Sequence, residues 1–145
     1  MAFLNATDYD VQIRSEINKI IDPSTEQTKL KRAEDMAIDQ IKNYLAGRYN
    51  LDLIFVDAPA EGVTDQRDNF IVMITIDITL YHLWCKEGGN NIPQTRIDRY
   101  ADALDWLKAV QKGAATNLPL ITNDEGEIVG DLRIWSAHAF EDNRY

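Results

Sequence analysis

The chain has 145 residues, 45% of them apolar and 27% charged, a balance that suits one compact domain with its own core and excludes an intrinsically disordered chain. Its formal net charge of -9 argues against long-range attraction to phosphate or anionic lipid, so sequence-specific DNA binding is not expected. The single cysteine, Cys85, cannot close an intramolecular disulfide, and residues 1–5 lack the basic and apolar stretches of a secretion signal, so a cytoplasm-like compartment is expected.

Thr7 or Asp8 can cap a first helix whose apolar positions are Val11, Ile13, Ile17, Ile20 and Ile21, and Pro23 stops it. Ser24 with Gln27 has the form of a capping box. The long helix that follows places Leu30, Ala33, Ala37, Ile41, Tyr44, Leu45 and Arg48 on one side. Its other side carries Glu26, Lys29, Lys31, Glu34, Asp35, Asp39 and Lys42, most simply a solvated face on which Lys31 and Asp35 can pair. From 50 to 66, after a short apolar stretch at 53–56, Asp52, Asp57, Glu61 and Asp65 accompany Pro59 and Gly62 in an exposed acidic connection.

The segment 68–87 is apolar nearly all round and rich in β-branched residues, which by propensity favour a strand. About twenty residues without a turn signal exceed a usual strand, and Asp68 can cap, so a central helix buried on several sides is expected. Within it, Phe70 to Trp84 is too short and too polar for a transmembrane span. The run 88–91 ends that helix, and Pro93 opens a fourth, with Ile97, Tyr100, Ala101, Leu104, Leu107 and Val110 on its apolar face. Arg96, Arg99, Asp102, Asp105 and Lys108 are assigned to its outside, and Gly113 ends it. Tyr44, Leu45, Ile78, Tyr81, Leu104 and Leu107 are the expected shared core of the three long helices.

After Pro119 the helical period disappears. Residues 120–122 and 127–129 around Asn123-Asp124-Glu125-Gly126 have the grammar of a small β-hairpin. The tail 133–145 scatters Ile134, Trp135, Phe140 and Tyr145 among polar residues without period, so it needs a surface to cover. The expected fold is mainly α: four helices over 1–119, a β-hairpin over 120–132 and an extended tail over 133–145, in a single domain without internal repeats.

Candidate chemistry is sparse. His82 and Cys85 share a helix face and could supply two metal ligands or a nucleophile and its base, with His138 as the third ligand at most. Packed helix positions are the simpler reading, and no metal or cofactor is expected. Residues 123–127 lack the ligand spacing of a calcium loop, and Gly88-Gly89 lacks the flanking pattern of a phosphate loop. Lys29, Lys31 and Arg32 form the densest basic cluster, but Glu26, Glu34 and Asp35 cancel most of its field; an ion-pair role between subunits is the alternative to a solvated surface.

Three segments occur in a telling order. They are Ala37-Ile38…Ile41…Tyr44-Leu45-Ala46-Gly47-Arg48-Tyr49, then Asp77-Ile78…Leu80-Tyr81-His82-Leu83, then Arg99-Tyr100-Ala101-Asp102-Ala103-Leu104-Asp105-Trp106-Leu107-Lys108…Gly113…Leu118-Pro119. With the opening Met1-Ala2-Phe3-Leu4 and Asp8-Tyr9, they resemble the Mu-like prophage family of small head-tail neck proteins up to Pro119. The resemblance implies a helical connector subunit, similar to adaptors that form a ring of about twelve copies below the portal of a tailed phage, extend the DNA channel and carry the next neck or tail-completion protein. It implies a structural role without catalysis, in the virion neck after assembly in the host bacterial cytoplasm.

An acidic subunit suits a channel through which DNA slides without sticking. Channel-facing candidates are Asp52, Asp57, Glu61 and Asp65, or the hairpin carboxylates Asp124, Glu125 and Glu127. The tail is expected to dock on a neighbouring subunit or the portal through Arg133, Trp135, Phe140, Arg144 and Tyr145. Two other readings are open: a free acidic module of inhibitor or immunity type that masks a basic protein, and a small hydrolase using Cys85 and His82.

Overall fold

The computed structural model describes residues 2–13, 28–86 and 92–129, in which five helices and no sheet are formed. They are α1 (Ala6–Gln12), α2 (Thr28–Leu45), α3 (Leu51–Ile54), α4 (Asn69–Lys86) and α5 (Gln94–Gln111). The expected positions Ile17, Ile20 and Ile21, the Ser24 to Gln27 capping box and the tail lie outside the described residues.

α1 is capped by Asn5, not by Thr7 or Asp8. The Asn5 Oδ1 accepts from the Asp8 N–H at 3.0 Å, and the Asp8 carboxylate accepts from the Asn5 N–H at 2.8 Å. This reciprocal pair satisfies two helix-end donors, and Asp8 does so from inside the first turn. On α2 the expected stripe is buried at Leu30, Ala33, Ala37, Ile41 and Leu45. Gly47, at φ +85, turns the chain out of the helix before Arg48. Asn50 caps the one-turn α3 inside what the sequence presents as a loop, accepting from the Leu53 N–H at 3.3 Å.

α4 is the central helix, capped by Asp68, whose Oδ1 accepts from the N–H groups of Phe70 and Ile71 at 2.9 and 3.0 Å. From Ile74 to Leu80 seven consecutive residues are buried, and polar side chains among them would be stranded were they not paired. Thr75 and Thr79 donate their hydroxyls to the carbonyls of Ile71 and Thr75 at 2.6 and 2.7 Å, so the helix satisfies its own buried threonines. Burial of Ile71, Ile74, Ile76, Ile78 and Leu80 against neighbours then outweighs the β propensity of the segment.

α5 runs antiparallel to α4, with Phe70 against Trp106 at 4.8 Å between ring centroids and Tyr81 stacked on Tyr100 at 3.8 Å. Its buried residues are Ala103, Leu107 and Val110, while Ile97 and Ala101 are exposed and Tyr100 and Leu104 half-buried. The inward face is therefore rotated from the expected one, and Arg96 and Arg99 turn toward α4. Of the expected shared core, Leu45, Ile78 and Leu107 are buried, whereas Tyr44, Tyr81 and Leu104 are only half-buried. Gly113, at φ +106, ends α5 as expected, and a side chain there would also meet the Arg48 guanidinium at 3.2 Å.

The β-hairpin expected over 120–132 is not formed as a pair of strands. Among the described residues there are two isolated bridges, Tyr49 with Leu120 and Thr122 with Ile128. Around the second bridge the backbone pairs twice, Asn123 N–H to the Glu127 carbonyl and Val129 N–H to the Ile121 carbonyl, both at 2.8 Å, while the Asn123 Oδ1 takes the N–H groups of Glu125 and Glu127 at 3.1 and 2.8 Å and braces the turn. The segment before it is fixed to the end of α2 by the Asn50 N–H to Pro119 carbonyl bond at 2.8 Å and the Ile121 N–H to Arg48 carbonyl bond at 3.0 Å.

Candidate interaction surfaces

The sequence-derived acidic candidates fall on two exposed segments. Asp52 projects from α3, and Asp57 and Glu61 from the loop after it; all three are exposed and form no ion pair among the described residues. Asp65 differs. Its two oxygens accept from Arg67 Nε at 2.9 Å and Nη2 at 2.6 Å, and this guanidinium holds the carboxyl below its ordinary range. Asp124, Glu125 and Glu127 are exposed on the turn, beside the exposed apolar side chains of Ile128 and Val129.

The partner-binding candidates Arg133, Trp135, Phe140, Arg144 and Tyr145, and the third metal-ligand candidate His138, lie outside the described residues. Cys85 is exposed, and His82 shares a 3.0 Å hydrogen bond with the Gln40 Oε1 and not with Cys85. Burial pushes the His82 imidazole below its ordinary pKa. Among the described residues no group of three or more His, Cys, Asp or Glu side chains is placed to hold a metal ion. Lys29 and Arg32 flank a cavity of about 550 Å³ that also reaches His82 and Cys85, and Lys31 and Asp35 do not pair.

Sequence reasoning missed two buried ionic clusters. Arg67, 7% exposed, gives Nη1 and Nη2 to the Asp8 carboxylate at 2.7 and 2.9 Å, binds Asp65 and also donates to the Phe3 carbonyl. One cation is thus shared by two carboxylates and a backbone oxygen, raising the guanidinium pKa above its already high value through its bonds to Asp65 and then Asp8. The clasp ties the N-terminal segment to the approach of α4. It could have been suspected only from the pairing of a basic residue with acidic ones in an otherwise acidic loop.

The second cluster reverses the signs. Asp77, 3% exposed on α4, accepts from Arg99 Nε at 2.7 Å and lies 3.6 Å from Arg96 Nη1. The Asp77 hydrogen bond raises the pKa of Arg99, whereas desolvation lowers that of Arg96. Both arginines reach Gln12 at the end of α1, Arg99 through its side-chain oxygen at 3.3 Å and Arg96 through its carbonyl at 3.5 Å. The signal available in the sequence was Asp77 itself, an acid in a run of buried apolar residues that demands a cation from elsewhere.

A third, half-buried contact joins α1 to α2, where the Tyr9 hydroxyl donates to Glu34 Oε1 at 2.6 Å. Burial raises the pKa of both groups, and the Glu34 charge raises that of Tyr9 further. Glu34 therefore leaves the solvated face assigned to it and serves the core.

Beside the second cluster runs a groove of about 600 Å³ bounded by α1, α4 and the start of α5, with Val72, Met73 and Ile76 among its lining and Thr95 and Arg96 on its rim. No curated protein and no solved structure matches the chain. The family profile described as bacteriophage Mu, Gp36 matches residues 7–128, a stretch that carries the helical unit and the turn after it. The chain accordingly belongs to the bacteriophage Mu Gp36 family and is a Mu-like phage protein.

Proposed function

We propose that the protein is a structural head-to-tail connector subunit that forms a homo-oligomeric ring below the phage portal, extends the DNA channel and joins the capsid to the tail. The observation that carries the reading is membership of the Mu Gp36 phage family over residues 7–128. Its partners are further copies of itself, about twelve in a closed ring, the portal protein and the next neck or tail-completion protein. It resides in the virion neck after assembly in the host cytoplasm, and its four longer elements with the short α3 are a scaffold for contacts and not for catalysis.

The channel surface is the exposed acidic segment bearing Asp52, Asp57 and Glu61. These carboxylates have no cationic partner among the described residues, so their field reaches solvent and keeps passing phosphates from adhering. Asp65 stands apart from that set because it shares the Arg67 guanidinium with Asp8. DNA passes without sequence-specific binding. The tail, through Trp135, Phe140 and Tyr145, anchors the subunit to a neighbour or to the portal.

The test is the mass of the particle formed by the purified chain, alone and with its portal, measured by sedimentation or native mass spectrometry. A ring or a portal-bound ring is expected, and Asp52→Lys, Asp57→Lys and Glu61→Lys combined should leave it intact while slowing DNA passage in packaging or ejection. A chain that stays monomeric or dimeric with the portal, and instead captures a basic protein in a salt-sensitive complex, would favour the inhibitor-type module.

A further inference from the structure

The groove beside Asp77 holds a cation that its neighbours among the described residues engage only loosely. Asp8 lines it, but both its carboxylate oxygens are committed to Arg67. The buried Asp77 oxygen is taken at 2.7 Å by Arg99, which among the described residues leaves Arg96 with long contacts, 3.6 Å to Asp77 and 3.5 Å to the Gln12 carbonyl. A guanidinium has five donors in a fixed fork, and among the described residues these two contacts leave several of them unused on a side chain that is 17% exposed at the rim. Below it lies the half-buried Met73, with Val72 and Ile76 buried beneath, and Val11, 84% exposed, forms the lip. In a chain of net charge -9 this is a cationic rim over an apolar floor, a surface for a segment that is acidic and apolar together.

The chain presents such a segment elsewhere. On the turn, Asp124 and Glu125 are exposed carboxylates without ion pairs among the described residues, and Ile128 and Val129 beside them are 57% and 45% exposed. The turn is internally braced by Asn123, so little ordering entropy is lost when it is buried. None of its residues lines the groove of its own subunit.

We infer that the 123–129 turn of one copy docks into the Arg96 groove of the next, Asp124 and Glu125 meeting Arg96 while Ile128 and Val129 pack on Val11 and Met73. Two different patches joined head to tail make a heterologous contact, the kind that closes into a ring when the rotation permits. This inference rests on the ring reading above and names the surfaces that would build it.

Charge exchange on the full chain tests it, read by sedimentation over a range of concentrations. Asp124→Lys with Glu125→Lys, or Arg96→Glu alone, should weaken self-association at least tenfold, and the three changes combined should restore it. Should Arg96→Glu melt well below the parent chain, Thr95→Glu on the same rim serves in its place. Association unchanged in either set of variants, or no recovery on combination, overturns the docking while leaving the connector role standing. Lowered melting with unaltered association by the Thr95→Glu chain likewise overturns it, assigning the groove to the chain's own segments. A parent chain that remains monomeric both alone and with the portal removes the ring reading and this contact with it.

Discussion

The two buried ionic clusters are mirror images, and the difference between them separates structure from surface. Around Arg67 one cation faces two carboxylates and a carbonyl, all bonds are short, and every donor that matters is used. Around Asp77 one carboxylate faces two cations, and after Arg99 has taken the short bond Arg96 is left at 3.6 Å. The first arrangement is closed and can serve only to hold the N-terminal segment against the start of α4. The second is open at its rim. A cluster with surplus donors beside an apolar groove retains binding capacity that a saturated clasp has lost.

Breaking the clasp should have the largest effect. Arg67→Ala removes a buried partner shared by Asp8 and Asp65 and should destabilise the fold by about 3 kcal/mol, the lower end of the cost of breaking a buried pair because both acids can turn to water. Chemical denaturation of the two chains measures it. The pH dependence has a definite sign: the folded-state pKa of Asp65 is lowered, so its contribution is present above the ordinary value of 3.8 and is lost as pH falls through the folded value. The stability gap between the parent chain and Arg67→Ala should therefore narrow below about pH 4 and not at alkaline pH. A gap that is constant down to pH 2 would show that Arg67 acts by packing alone.

Asp77→Asn should cost less, about 1 to 2 kcal/mol, since an amide oxygen can still accept from Arg99 while the charge-assisted part of the bond disappears. Equal losses for Asp77→Asn and Arg67→Ala in the same denaturation series would erase the contrast between an open and a closed cluster.

How much of this was legible in the sequence depends on where the information lies. The α2 stripe from Leu30 to Leu45 could be read because helical period and burial coincide within one segment, and Asp68 announced the start of α4 by its position alone. The face of α5 was misjudged because Asp77, 22 residues away, recruits Arg99, and that demand rotates Ala103 inward and Ile97 outward. Asn5 was passed over as a cap because Thr7 and Asp8 carry the same signal, and only the backbone path decides among the three. The Arg67 clasp is only half legible: Asp65, two residues away, is a local partner, but Asp8 lies 59 residues earlier, and no local pattern encodes that pair. The acidic candidates Asp52, Asp57, Glu61 and Asp65 are all exposed, but among the described residues only Asp65 is engaged by a neighbouring cation two residues on, and Asp52 stands on a helical turn where the sequence presents a loop.

The smallest expected effect sharpens the comparison most. Arg96→Gln removes the charge of a side chain whose two contacts are at 3.6 and 3.5 Å, distances at which a hydrogen bond has little left to lose. The fold should lose under about 1 kcal/mol, the range of weakly held ion pairs, and the like-charge repulsion between Arg96 and Arg99 that the substitution relieves works in the opposite direction. Thermal melting of the isolated chain should consequently shift by only a few degrees, well short of what Arg67→Ala produces. A loss equal to that of Arg67→Ala would mean that Arg96 is as fully engaged as Arg67 and that the groove has no spare cation to offer. A small loss leaves a guanidinium that the fold desolvates and that Asp77 offsets only in part, so an external carboxylate would find a cation ready to complete the cluster.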